Sequence, residues 1–257
     1  MNGPSAGSPP PRGVVLDTDG VLLDSAVLHA AAWKTAFDAC LGESAPEPGE
    51  WTPFDADVEY RRFVDGRSRY DGADAFLRAR GIRLPPGEPA DRPGCDTVWA
   101  VAARKEEAFQ DVLRTGPVVA FADAGRALTA LRTLGVPCAA VSASRHARAL
   151  LRAAGLDRLL TAVVDGEDSA RLGLAGKPDP ALFLHAARLL GTHPSDTAVV
   201  EDALAGVRAA RRGGFGLVVG VDRSPDGHGT AALREQGADL VVPELAELVR
   251  SAWGERA

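Results

Sequence analysis

One short apolar run, Val14-Val15-Leu16, stands near the start of the chain, and the long stretch 26–114 that follows holds no convincing strand. The run is β-branched, brief and closed by Asp17-Thr18-Asp19-Gly20, which predicts a buried strand feeding a loop. From Ala26 to Leu41 the pattern is helical, and residues 42–57, rich in Pro, Gly and acids, predict a loop. Helical patches follow near 55–64, 73–80 and 96–114, with a Pro/Gly-rich stretch at 84–94, and residues 26–114 carry no strand signal. The character then changes. A helix at 123–134 leads to the run Cys138–Val141, a helix near 145–154 and Val163-Val164. A helix at 180–190, Ala198-Val199-Val200, a helix at 203–212, Leu217-Val218-Val219, Leu240-Val241-Val242 and a last helix complete the chain. Short apolar strands alternating with helices predict an α/β fold with a doubly wound parallel sheet. The helical stretch is therefore an insertion. The expected architecture is an α/β core of residues 13–25 and 115–257, a small all-helical cap of residues 26–114 after the first strand, and a flexible tail at 1–12.

The length of 257 residues with 46% apolar and 25% charged residues supports a sizeable core and excludes a disordered, collagenous or coiled-coil chain. The net charge of −6 supplies no basic field for nucleic acid or anionic lipid, so neither partner is expected. No apolar run reaches membrane-spanning length, and Met1 to Pro11 lacks the apolar segment of a signal peptide. Cys40, Cys95 and Cys138 are odd in number, far apart and without a C-x-x-C pair. That predicts a reduced, cytoplasmic protein with neither a zinc ribbon nor a disulfide framework. Gly213-Gly214-Phe215-Gly216 follows a helix rather than opening one, and reads as a turn into a strand. Among 29 basic residues only Lys34, Lys105 and Lys177 are lysines, so a compact ammonium is a candidate requirement at those places.

In doubly wound sheets, sites form at the carboxyl ends of strands. The first strand ends in Asp17 and Asp19, the second in Ser142-Ala143-Ser144, and a later one in Glu201-Asp202; Lys177 precedes a helix. Carboxylates converging in one cleft need a cation, and an oxygen-only set suits Mg²⁺. A carboxylate is also a competent nucleophile toward phosphorus. The lysine ammonium and serine hydroxyl would help neutralise the phosphate, and a second carboxyl would protonate the leaving group. Each piece alone has an ordinary reading: an acidic turn, a helix cap, a loop charge. Together, in this order at successive strand ends, they predict phosphoryl transfer.

These residues resemble the haloacid-dehalogenase superfamily of phosphotransferases, whose core is Rossmann-like. Val14 to Ser25, VVLDTDGVLLDS, is similar to its first motif, Ser142 to the second, Lys177 to the third and Glu201-Asp202 to the fourth. The resemblance implies Asp17 as nucleophile, Asp19 as general acid/base, and Ser142, Ala143 and Lys177 around the phosphate. It implies Mg²⁺ on Asp17, the Asp19 main-chain carbonyl and Asp202, with Glu201 supporting. The insertion resembles the helical cap of the β-phosphoglucomutase-like branch. His29 and Trp33 resemble its hinge helix, Gly66 and Arg69 its substrate loop with Arg69 on the distal phosphate, and Lys105 its cap lysine. Ser144, Arg145 and His146 fall where that branch holds the second phosphate from the core. His29 and Trp33, four residues apart on a helix, also read as core packing.

The resemblance implies a monomeric phosphomutase acting on a phosphorylated hexose or cyclitol. A sugar-phosphate phosphatase on the same site is the alternative. A non-enzymatic relative would show eroded catalytic groups, and none are eroded. Departures from the branch stand at Thr18, Ser25, Arg145, His146 and Ala203. They bear on the substrate and on mutase against phosphatase, not on the phosphoryl-transfer groups.

Overall fold

The computed structural model describes residues 9–44, 51–115, 118–224, 227 and 229–254. Residues 1–8 of the expected tail and 45–50 of the expected loop lie outside them. In chain order, β1 (Gly13–Asp17) is followed by α1 (Ala26–Ser44), α2 (Arg69–Ala79) and α3 (Val98–Thr115). Then come α4 (Ala124–Thr133), β2 (Cys138–Val141), α5 (Ala147–Ala153), β3 (Ala162–Val164), α6 (Gly166–Leu172) and α7 (Ala181–Leu190). The chain continues through β4 (Thr197–Glu201), α8 (Leu204–Arg212), β5 (Leu217–Val221), α9 (Thr230–Glu235), β6 (Leu240–Val242) and α10 (Leu245–Trp253). Two compact units result: Met1–Asp24 with Val118–Ala257, and Ser25–Pro117.

The first unit holds one all-parallel sheet in the order β3-β2-β1-β4-β5-β6. Every residue of β1, β2, β4 and β5 is buried. A parallel sheet covered on both faces needs such continuous apolar runs, and Val, Leu and Ala supply them. The strand order reverses between β1 and β4, so their carboxyl ends flank the crevice where doubly wound folds place their ligands. Asp17 lies level with Val141 of β2, and its neighbour Leu16 with Val200 of β4. β1 stops at Asp17; Asp19 belongs to the loop beyond it.

Two short helices lie beyond the sequence expectation, α6 and α9. α6 has seven residues and buries none of them. Its ends specify it instead. The Asp165 side chain accepts the Glu167 and Asp168 N–H groups, Asp168 returns a bond to the Asp165 N–H, and Gly173 closes the helix in the left-handed region. That capping box was present in the sequence as Asp165-x-x-Asp168.

Among its described residues the second unit is all-helical. Its core is aromatic: Trp33 stacks on Phe37 at 4.6 Å, Phe37 meets Phe76 at 4.0 Å, and Phe54 meets Phe76 edge-on at 5.0 Å. Such pairs add about 0.5–1.5 kcal/mol each beyond area burial. α2 begins at Arg69, earlier than the apolar pattern suggests, because the Ser68 side chain caps it by accepting the Asp71 N–H. In the expected 55–64 patch the regular turn is Tyr60–Val64, wound with the wider π spacing.

One expectation is overturned here. Cys40 and Cys95 form a disulfide across 55 residues, and Cys138 is the free, buried cysteine. The α1 terminus and the segment entering α3 fold against each other, a tertiary proximity that cysteine spacing does not encode. The structure is therefore not that of a fully reduced chain. Among the described residues no helix is long and apolar enough to cross a membrane.

Candidate active site

The carboxyl ends of β1 and β4 gather four of the expected groups. Lys177 lies between them, with its ammonium bonded to both Asp17 and Glu201. Its side chain is 1% exposed, Glu201 is fully buried and Asp17 nearly so. Burial works against the lysine charge, but the two carboxylates outweigh it and hold the ammonium well above its usual range. Burial pushes the Asp17 carboxyl up; Lys177 pulls it down, while Glu201 and Asp19 add to the push. Three charges from distant parts of the chain therefore make one buried unit, stable only because each is paired.

The two motif aspartates have different partners. Asp17 Oδ2 accepts the Asp19 N–H at 2.9 Å. Asp19 Oδ2 accepts the Ser142 hydroxyl at 2.8 Å. Ser142 Oγ in turn accepts the Ser144 N–H at 3.0 Å, and Ser144 Oγ accepts the His146 N–H at 3.2 Å. These nested bonds shape the 142–146 turn after β2. Gly166 backs the turn so closely that a Cβ there would stand 2.6 Å from the Ala143 carbonyl oxygen. Arg145 is exposed, and His146 stands at the N-cap of α5 without a capping side-chain bond. Between the aspartates, Thr18 is fully buried and its hydroxyl donates to the Val141 carbonyl at 3.0 Å, tying the loop to β2.

Two glycines make room for the acids, a role that no local sequence pattern marks. Gly20 has φ +82°, and a Cβ there would stand 1.8 Å from Asp202 Oδ2. Asp202 thus lies directly against the turn that follows Asp17. Gly206, on the first turns of α8, leaves the space taken by Glu201. Glu201 uses its other oxygen to accept the Ala203 N–H at 2.8 Å. With Lys177 and Ala203 on its oxygens, Glu201 holds the lysine and the start of α8.

Among the described residues no three His, Cys, Asp or Glu side chains gather as a metal-ligand set. The donors that fit a metal here are the Asp17 and Asp202 carboxylates with main-chain oxygen of the intervening turn. Asp202, seated in the Gly20 gap, lies beside the turn that follows Asp17. Such a hard-oxygen set with few protein ligands fits Mg²⁺, which keeps several waters.

In the all-helical unit the expected residues fall into two groups. The Lys105 ammonium and His29 Nδ1 stand 3.0 Å apart, both side chains buried. His29 stacks on Phe109 at 4.1 Å with planes 6° apart, and the ammonium lies 4.3 Å from the same ring. Trp33 sits in the aromatic core, with Lys105 Nζ 5.8 Å from its ring. Separately, Arg69 pairs with Glu106 at 3.1 Å and lies 5.8 Å from the Trp99 ring. Gly66, at φ +69°, turns the chain before it.

The sequence pattern of haloacid dehalogenase-like hydrolases matches residues 11–214, and the chain belongs to that family. Over 239 residues it is 44% identical to a β-phosphoglucomutase of Mycobacterium tuberculosis, covering 93% of this chain and 91% of that protein. It is 31% identical over 238 residues to the β-phosphoglucomutase of Bacillus subtilis, covering 92% and 91%. Among solved structures, a family hydrolase from Deinococcus radiodurans with bound phosphate and sodium superposes with a TM-score of 0.63. That pair is 30% identical across 95% of this chain and 96% of the other.

Proposed function

We propose that this chain is a sugar phosphomutase of the β-phosphoglucomutase kind, acting on a phosphorylated hexose through an aspartyl-phosphate. The observation that carries the reading is the division of labour between two adjacent carboxylates. Asp17 is held against the buried Lys177, and Asp19 is held by the Ser142 hydroxyl. The 44% identity to a β-phosphoglucomutase over most of both chains supports the same reading.

Asp17 attacks the phosphorus of a bisphosphate, its Oδ–P bond forming as the P–O bond to the sugar breaks. Asp19 gives its carboxyl proton to the departing sugar oxygen. In the second half, Asp19 takes the proton from the incoming sugar hydroxyl, which attacks the aspartyl-phosphate and frees Asp17. Lys177 and Ser142 offset charge on the transferring group. Mg²⁺, held by Asp17, Asp202 and the Asp19 main-chain carbonyl, would supply further neutralisation of attacking carboxylate and phosphate. Ala143 completes the phosphate turn. Ser144, Arg145 and His146 on the core, and Arg69 beside Gly66 on the cap, are proposed for the second phosphate. Lys105 and His29, with Trp33 behind them, are proposed to set the sugar. A phosphorylated sugar substrate argues for work in the cytoplasm, where the Cys40–Cys95 bond would meet reducing conditions.

The test is to incubate the protein with Mg²⁺ and β-glucose 1-phosphate, with and without a trace of the 1,6-bisphosphate. Glucose 6-phosphate and inorganic phosphate are followed separately. Bisphosphate-dependent glucose 6-phosphate is expected. Phosphate release without the isomer would replace the mutase by the phosphatase, and no turnover of any phosphate ester would sink both.

A further inference from the structure

We propose that Arg223 is a positioning residue for the loop that carries the nucleophile and the acid/base, a role that rests on the reading above. Arg223 follows the end of β5, two strands away from β1 in the sheet. Its guanidinium nevertheless reaches the loop after Asp19. Nε donates to the Gly20 carbonyl at 3.2 Å and Nη2 to the Val21 carbonyl at 3.0 Å.

The guanidinium is itself fixed from two more sides. It pairs with Asp123 at 3.2 Å, and its Cζ lies 3.8 Å from the Phe121 ring centroid. Asp123 is buried and accepts the Leu245 N–H at 2.6 Å, so the starts of α4 and α10 anchor the pair. Phe121 is held to the same loop, its N–H donating to the Leu22 carbonyl at 3.1 Å.

The loop is otherwise a tight coil. The Leu22 and Leu23 N–H groups both donate to the Thr18 carbonyl, and the Gly20 N–H donates to the Leu23 carbonyl. These bonds satisfy donors but leave the Gly20 and Val21 carbonyls to be met from outside. Arg223 meets both with one planar group, which a single-point lysine cannot do. Two consecutive peptide planes beyond Asp19 are thereby set. Asp202 presses the same turn at the Gly20 position, so turn, carboxylate and guanidinium form one assembly. Setting those planes sets the orientation of the Asp19–Gly20 peptide, whose carbonyl is a proposed Mg²⁺ ligand, and of the Asp19 side chain on Ser142. Arg223 touches no substrate in this account. It acts through the loop.

Arg223→Gln and Arg223→Lys are compared with wild type by steady-state kinetics and by calorimetric titration with Mg²⁺ alone. Removing such an outer partner should lower kcat and weaken Mg²⁺ binding by about 10- to 100-fold. KM for the sugar phosphate should move far less, because the substrate contacts are untouched. The lysine variant should fall between wild type and the glutamine variant, and it serves if the glutamine variant does not fold. Unchanged kcat and unchanged Mg²⁺ affinity in a folded variant would overturn the proposal, as would equal loss of kcat and gain in KM with Mg²⁺ binding intact. Should the wild type turn over no phosphate ester while Mg²⁺ binding still falls in the variants, the positioning role stands and the mutase reading falls.

Discussion

Glu201 occupies the space that any side chain at residue 206 would need: a Cβ on Gly206 would stand 1.8 Å from Glu201 Oε1. Alanine normally favours a helix over glycine by about 1 kcal/mol. Here the sign reverses. Gly206→Ala must displace a buried carboxylate that holds Lys177, so a net loss of about 1–3 kcal/mol is expected, with reduced turnover. Urea unfolding checks it; a more stable alanine variant would refute the close approach.

Lys177 is the cation inside a buried group of acids, and its removal leaves Asp17 and Glu201 facing each other. Lys177→Met should cost about 3–5 kcal/mol, the scale of breaking a buried ion pair from one side. Adding Glu201→Gln should recover part of that stability without restoring turnover. Equal stability of the single and double variants would show that the lysine does not bridge the two acids.

The thiols can be counted directly. Cys138 is buried and its thiol is pushed up to about 12, so it should not react with alkylating reagents in the native protein at neutral pH. In denaturant without reductant one thiol per chain should titrate, and three after reduction, because Cys40 and Cys95 are bonded. Three thiols without reductant would remove the disulfide. For a separation of 55 residues, chain entropy puts its contribution to stability at ~4 kcal/mol.

Acid should loosen the all-helical unit through Glu59. Hydrogen bonds from Arg80, at 2.7 and 2.8 Å, hold the Glu59 carboxyl below its ordinary range. A carboxyl with a lower value folded than unfolded stabilises above the unfolded value, near about 4.3. That contribution disappears as pH falls through the folded value. Glu59→Gln should therefore lower stability at pH 6 and flatten its decline in acid. A parallel decline in variant and wild type would contradict the assignment.

The core was legible because its physics is local. Val14-Val15-Leu16 and its later counterparts can satisfy a continuous apolar run only inside a covered parallel sheet, and strand ends are where such sheets place chemistry. Asp17, Ser142 and Glu201 are singled out on that basis, and Lys177 as one of three lysines among 29 basic residues. What stayed hidden depends on tertiary proximity. The Cys40–Cys95 bond joins segments with no common pattern. Gly20 and Gly206 matter only for the carboxylates seated against them. Arg223 acts on a loop 203 positions earlier in the chain. α6 was hidden for a different reason: it has no apolar stripe, and its caps alone define it.

The central claim is that Asp17 carries the phosphoryl group. Mixing the protein with Mg²⁺ and β-glucose 1,6-bisphosphate, quenching in acid and mapping the modified peptide tests it most directly. The account predicts a hydroxylamine-labile phosphoryl group on Asp17, with none on the Asp17→Asn variant and no turnover by it. A phosphoryl group on another residue, or turnover by Asp17→Asn near the wild-type rate, would contradict it.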